Sequence, residues 1–171
     1  EIIREGERIA SIVRGLMTFS NNERYAQVEE ISVQNLIEGV TALTGEIIRH
    51  DDIDLQVQLG EDLPTLACRP QQIRQVLLNL LTNARDAINT ARKKHPLQGV
   101  VTLRCTPVLH EQQAAVRFEV EDNGDGVPDK NATYIFDPFY TTKPGRKGPG
   151  LGLSVSWGIA REHGGSLTVS A

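Results

Sequence analysis

No run in this sequence is apolar enough, for long enough, to cross a membrane, and no signal peptide opens it. Charge of one sign is also lacking. The net value of −4 gives neither a nucleic-acid footprint nor the basic face that binds anionic membranes. Cysteine is scarce. Cys68 and Cys105 sit in apolar contexts without metal-ligand spacing and read as buried thiols of a reducing compartment. Internal repeats are absent. What remains is ordinary for a soluble globular domain: 171 residues, 39% hydrophobic and 23% charged, enough for one hydrophobic core and an appendage.

The chain opens in mid-helix and reads as a fragment. In residues 1–20 Ile2, Ile9, Ile12, Leu16 and Phe19 follow a heptad seam, broken at Glu5 and weakened by Gly6 and Gly15. Such a helix needs a partner to pack against. "SNNERYAQ" is a polar linker. "VEEIS" predicts a short strand, with Ser32 capping the helix that follows. "IDLQVQLG" alternates as a half-buried strand does. Pro70 suits a helix start. "GVVTLRCTPVL" and "AAVRFEVED" predict a hairpin, "LSVSWGIAREH" a helix and "GGSLTVSA" a last strand. Helices mixed with a largely antiparallel sheet predict an α+β fold, a two-layer α/β sandwich.

The helix after Pro70 carries an unusual stripe. In "QQIRQVLLNLLTNARDAI" the residues Ile73, Leu77, Leu80, Leu81, Ala84 and Ile88 mark one face. Asn79, Asn83 and Asp86 fall together on roughly the opposite side. That side is either a solvated face or a site, since Asn and Asp are poor helix formers. "VEDNGDGVP" (120–128) ends a strand on Asp122 and follows it with Gly124 and Gly126. It reads as a turn, or as a place where backbone approaches a flat ligand while a carboxylate accepts from an exocyclic amine. "KGPGLGLS" (147–154) alternates Gly148, Gly150 and Gly152 before a helix whose first N–H groups would face an anion. Lys143, Arg146 and Lys147 upstream are phosphate ligands or solvated charges. "IFDPFYTTK" (135–143) holds Phe136, Phe139 and Tyr140, three of eight aromatic residues, as a core anchor or a hinge.

In this order the segments resemble the boxes of the ATP-binding catalytic domain of sensor histidine kinases, in the Bergerat-fold group with DNA gyrase, Hsp90 and MutL. "NLLTNARDA" is similar to the N box, "DNGDG" to the first glycine box, "FDPFYTT" to the F box and "GPGLGL" to the second glycine box. "MTFSNNERY" is similar to the end of the second dimerisation helix. The resemblance implies a dimerisation-hairpin helix over residues 1–24 and a catalytic domain over 25–171, its last strand missing. It makes Asn83 the Mg²⁺ ligand and has Asn79, the catalytic residue, line the same site. An amide suits Mg²⁺, which takes few protein oxygens beside phosphates and waters. Asp122 would bond the adenine amine. The implied nucleotide site is Asn79, Asn83, Asp86, Asp122, Gly124, Gly126, Val127, Phe139, Thr141, Thr142, Lys143, Gly148, Gly150, Leu151, Gly152 and Leu153. Residues 129–147 correspond to a lid over ATP.

The implied reaction is γ-phosphoryl transfer to a histidine on a separate helix, then to a response-regulator receiver domain. The implied assembly is a homodimer through the N-terminal helix. Nucleic acid and direct membrane contact are not expected of this cytoplasmic fragment, whether or not the full-length protein is anchored to a membrane. Two other readings are an ATPase driving a conformational cycle and a silent nucleotide-binding scaffold. Asn79 stands against the former, which uses a glutamate there. His50, His95, His110 and His163 all lack the acceptor context, and Asp86 stands where many relatives place a basic residue.

Overall fold

Ser32 accepts a hydrogen bond from the Asn35 amide at 3.2 Å, the cap its position predicts. The computed structural model describes residues 27–141 and 150–170. The proposed N-terminal dimerisation helix, Thr142, Lys143 and Gly148 lie outside the described residues. Strand β1 (Glu29–Ile31) precedes helix α1 (Val33–His50), and β2 (Ile53–Leu59) and β3 (Leu66–Cys68) follow. Helix α2 (Pro70–Ala91) leads to β4 (Gly99–His110) and β5 (Gln113–Asp122). A short α3 (Asp129–Ala132) and α4 (Gly152–Glu162) complete the order.

The strands form two sheets. β1 pairs antiparallel with β3, and β2-β4-β5 form a three-stranded sheet. β4 and β5 make the predicted hairpin, but β2 runs parallel to β4. A parallel pair needs a long crossover, and β3 with α2 supplies it. On β4, Gly99, Val101, Leu103 and Cys105 all face inward and are buried. They meet Val33, Ile37, Val40 and Ile48 of α1 and Leu77, Leu81, Ala84 and Ile88 of α2. Both expected thiols are buried, and burial pushes that of Cys105 up to about 11. The alternation in β2 is honoured only at its start. Ile53 is buried, while Val57 and Leu59, on the edge of the sheet, are exposed.

The predicted last strand does not form: residues 165–170 are in no ladder. A strand exists only by pairing. This segment opens on the second of two glycines, pairs with none of the described strands, and leaves Val169 exposed.

The hairpin closes through Glu111 and Gln112, with φ of 49° and 66°. Two consecutive left-handed residues in a two-residue loop define a turn that favours Asn-Gly. Replacing Glu111→Asn and Gln112→Gly together should raise stability by about 1–2 kcal/mol. Urea unfolding would show a higher midpoint at unchanged slope; an unmoved midpoint would refute the strain.

Asp51, at the end of α1, ties that helix to α2. Its Oδ2 accepts from Arg85 Nε and Asn89 Nδ2, each at 2.6 Å. Arg92 donates to the carbonyls of Asp51, Asp52 and Leu97. Arg85, then Asn89, holds the Asp51 carboxyl below its ordinary value of 3.8. The folded value is the lower one, so this stabilisation is complete above the ordinary value and is lost as pH falls through the folded one. Asp51→Asn should cost about 1.5–3 kcal/mol at pH 7. That deficit should narrow below the ordinary value of 3.8. Urea melts of both proteins from neutral pH to pH ~3 test this; a constant gap would remove the linkage.

Candidate functional site

Register places Asp122. It pairs with Val101, and cross-strand partners share a face, so Asp122 ends the inward row Val116, Phe118, Val120. Its carboxylate therefore points to the helix side, where burial raises its affinity for a proton. The Gly124 N–H donates to Oδ1 at 2.9 Å and opposes that rise.

Gly124 has no room for a side chain. A Cβ there would come within 2.7 Å of the Ala87 backbone on α2 and 2.8 Å of Asp122 Oδ1. The loop is thus seated on α2, and two further ties hold it. Asn123 extends the ladder with its side chain, accepting from the Val100 amide and donating to the Gln98 carbonyl, both at 2.8 Å. Lys94 pairs with Asp125 at 2.5 Å. Gly126 has φ +69° and only open space on its Cβ side. Its glycine serves the turn, and no packing against α2 requires it.

The second glycine segment seats at the other end of the same helix face. Asn79 Nδ2 donates to the Gly152 carbonyl and to Ser156 Oγ, each at 3.2 Å. A Cβ on Gly152 would lie 3.6 Å from the Asn79 side chain, an ordinary contact, so the protein's own packing does not demand glycine there. Gly150 is different. Its φ is +70°, and a Cβ would sit 2.7 Å from the Phe139 carbonyl carbon and the Tyr140 oxygen. Phe139 N donates to Gly150 O at 2.9 Å and itself adopts φ 68°. Leu151 leads into α4 without a side-chain cap, so the first N–H groups of α4, from Gly152 and Leu153 onward, have no side-chain acceptor at the cap. α4 runs back along α2. At its far end Arg69 pairs with Glu162 at 3.2 Å, and the Arg69 amide donates to His163 Nε2.

The structure therefore brings Asn79 to Gly152 and Gly124 to Ala87, the neighbour of Asp86. These anchor points are eight residues apart on α2, about 12 Å along its axis, with Asn83 midway. Asn83, Asp86 and Thr141 each engage neighbours in the fold. Val127 is half-buried at the exit of the glycine loop. Phe136 and Tyr140 are half-buried, whereas Phe139 is 61% exposed. The aromatic cluster is thus anchored through the backbone of Phe139 and the side chains of its neighbours. Sequence reasoning missed Asn123, Lys94, Asp125 and Ser156. Only Asn123, next to a strand end, carried a signal of its own.

Residues 68–171 match the family described as histidine kinase-, DNA gyrase B-, and HSP90-like ATPase. The chain belongs to this ATPase family. Relatives include the sensor kinase CckA of Brucella abortus, 35% identical over 97% of this chain and 18% of that protein. The chain thus spans about a fifth of that curated relative. Full-length ShkA in complex with AMPPNP is similar in structure, with TM-score 0.73 and 25% identity over 98% of this chain and 34% of that one. Histidine kinase ThkA in complex with response regulator protein TrrA gives TM-score 0.67 and 27% identity, over 96% and 43%. In this ATPase domain, then, the asparagine face of α2 and its two glycine segments fall inside the matched region.

Proposed function

We propose that this chain binds Mg·ATP along the asparagine face of α2. In the intact protein it then supplies the γ-phosphoryl group to a histidine on a dimerisation helix, for relay to an aspartate of a response-regulator receiver domain. One observation carries the reading: two glycine segments are seated at the two ends of one asparagine-bearing face. The separation suits a base at Asp122 and phosphates at Asn79, Asn83 and the start of α4. The AMPPNP complex of ShkA supports the nucleotide, and the ThkA–TrrA complex supports the receiver partner.

The donor set fits Mg²⁺. No three His, Cys, Asp or Glu residues converge among the described residues, so an all-carboxylate cage is not the expected form. A neutral amide on Asn83, aided by Asn79, leaves most positions to phosphate and water oxygens, as Mg²⁺ prefers. When bound, the ion would neutralise charge on the phosphates. The chain's own residues orient the adenine, seat the phosphates against α4 and, at Asn79, offer water no general base. An amide at Asn79 cannot take a proton at neutral pH, which favours transfer over hydrolysis. The homodimer through residues 1–24 and a cytoplasmic setting belong to the same proposal. No described helix is long and apolar enough to cross a membrane.

Incubating the full-length protein with radiolabelled ATP and Mg²⁺ should give acid-labile phosphohistidine outside this chain. The isolated chain should stay unlabelled at His50, His95, His110 and His163. Release of phosphate without any phosphohistidine would favour the hydrolytic cycle and overturn the proposal.

A further inference from the structure

We infer that Ser156 is a positioning residue. Its buried hydroxyl and the Gly152 carbonyl hold the Asn79 amide with its nitrogen in α4, so that Asn79 offers the site only its acceptor oxygen, Oδ1.

The chemistry fixes the orientation. A backbone carbonyl only accepts, so the amide nitrogen must face Gly152 O, at 3.2 Å. The nitrogen carries two hydrogens, and Ser156 Oγ takes the second, also at 3.2 Å. Ser156 is 0% exposed, so water cannot replace its hydroxyl as the partner. Both donors of Asn79 are thereby engaged inside the protein. Oδ1 lies 3.8 Å from where a Gly152 Cβ would stand, on the side that glycine leaves open.

The consequence rests on the nucleotide reading. An acceptor turned toward a triphosphate repels its oxygens directly and instead takes a cation or a water that donates. Asn79 therefore acts toward Mg²⁺ or a water on it, not as a donor to phosphate. Without the Ser156 hydroxyl only the Gly152 carbonyl holds the nitrogen; the amide then turns over more readily, presenting hydrogens to phosphate and withdrawing an oxygen from the cation. The same bonds tie the asparagine helix to the first turn of α4, so the two halves of the phosphate end move together. A carboxylate at position 79 could not donate to Gly152 O. Asn79→Glu would thus break the tie as well as add a base.

Four forms of the 171-residue chain test this: wild type, Ser156→Ala, Ser156→Thr and Ser156→Val. Thr and Val have nearly equal volume, and only Thr keeps the hydroxyl. In ligand-free protein, the Asn79 side-chain NH₂ should exchange slowly in wild type and Ser156→Thr, and rapidly in the other two. The Mg²⁺ concentration that half-saturates ATP binding should rise about fivefold in Ser156→Ala and Ser156→Val and be restored in Ser156→Thr. ATP affinity without Mg²⁺ should not fall, since a turned amide donates to phosphate. Equal behaviour of the Thr and Val forms would reduce Ser156 to packing and overturn the inference. If the β-branched forms do not fold, Ser156→Ala decides alone: wild-type exchange and wild-type Mg²⁺ dependence overturn it. If wild type binds no Mg·ATP, the nucleotide reading falls and takes the role toward Mg²⁺ with it. The exchange of the Asn79 amide still reports the tie by itself.

Discussion

Asp122→Ala is expected to weaken ATP binding about fiftyfold and to leave the weak binding of GTP unchanged. The carboxylate is the last inward-facing group of β5, half-buried, with Oδ1 already held by the Gly124 amide. Its remaining oxygen can accept from an exocyclic amine, and guanine presents a carbonyl where adenine has that amine. Removing it leaves the amine desolvated without a partner, the costly half of a hydrogen-bond deletion. The same geometry sets a pH dependence. Burial first, with Glu121 adding, raises the carboxyl above its ordinary value of 3.8, and the Gly124 bond only partly opposes this. The amine needs the ionised form. ATP binding should therefore be lost on acidification at a higher pH than an ordinary aspartate would give, and Asp122→Ala should remove that step. Calorimetry with ATP and GTP across pH measures both effects; equal affinities in wild type would refute the role of Asp122.

Gly150→Ala is expected to separate the two ends of the site. The new Cβ meets backbone atoms of Phe139 and Tyr140 at 2.7 Å, and the residue must also hold φ +70°. Backbone cannot yield as a flexible side chain would, so the cost is about 2–3 kcal/mol, concentrated at the junction of the Phe139 loop with α4. The first turn of α4 should shift, and with it the groups assigned to the phosphates. ATP affinity should fall at least about tenfold while adenosine affinity holds. Gly126→Ala is the natural comparison: its φ is +69° but its Cβ side is open, so only about 1 kcal/mol of strain is expected. Equal losses for adenosine and ATP in Gly150→Ala would show that the residue serves general stability instead.

The parts of this fold legible in the sequence are those set by local rules. Apolar spacing marked α1 and α2, Ser32 and Pro70 marked their starts, and alternation marked the hairpin with Asp122 at its end. What stayed hidden was set by distant partners. Asp51 gathers Arg85 and Asn89 across more than thirty positions, and nothing near Asp51 announces it. Ser156 sits in an apolar stretch of α4 and reads as filler until Asn79 is brought against it. Phe139 gives no sign of its left-handed backbone, and its amide donates to the carbonyl of Gly150, eleven residues on. The segment "GGSLTVSA" has the alternation of a strand but finds no edge among the described strands, and pairing decides.

One face of α2 is proposed to carry a nucleotide with its base at Gly124 and its phosphates at Gly152. Backbone amide spectra of the chain titrated with adenosine, then with Mg·ATP, test it most directly. Adenosine should move the signals of Ala87 and of Asp122 to Gly126, and leave Asn79 and residues 150–153 in place. Mg·ATP should move both sets, together with Asn83. If Mg·ATP left Asn79, Asn83 and residues 150–153 unmoved, or if its shifts lay on the hairpin tip around Glu111, the nucleotide would not lie along α2.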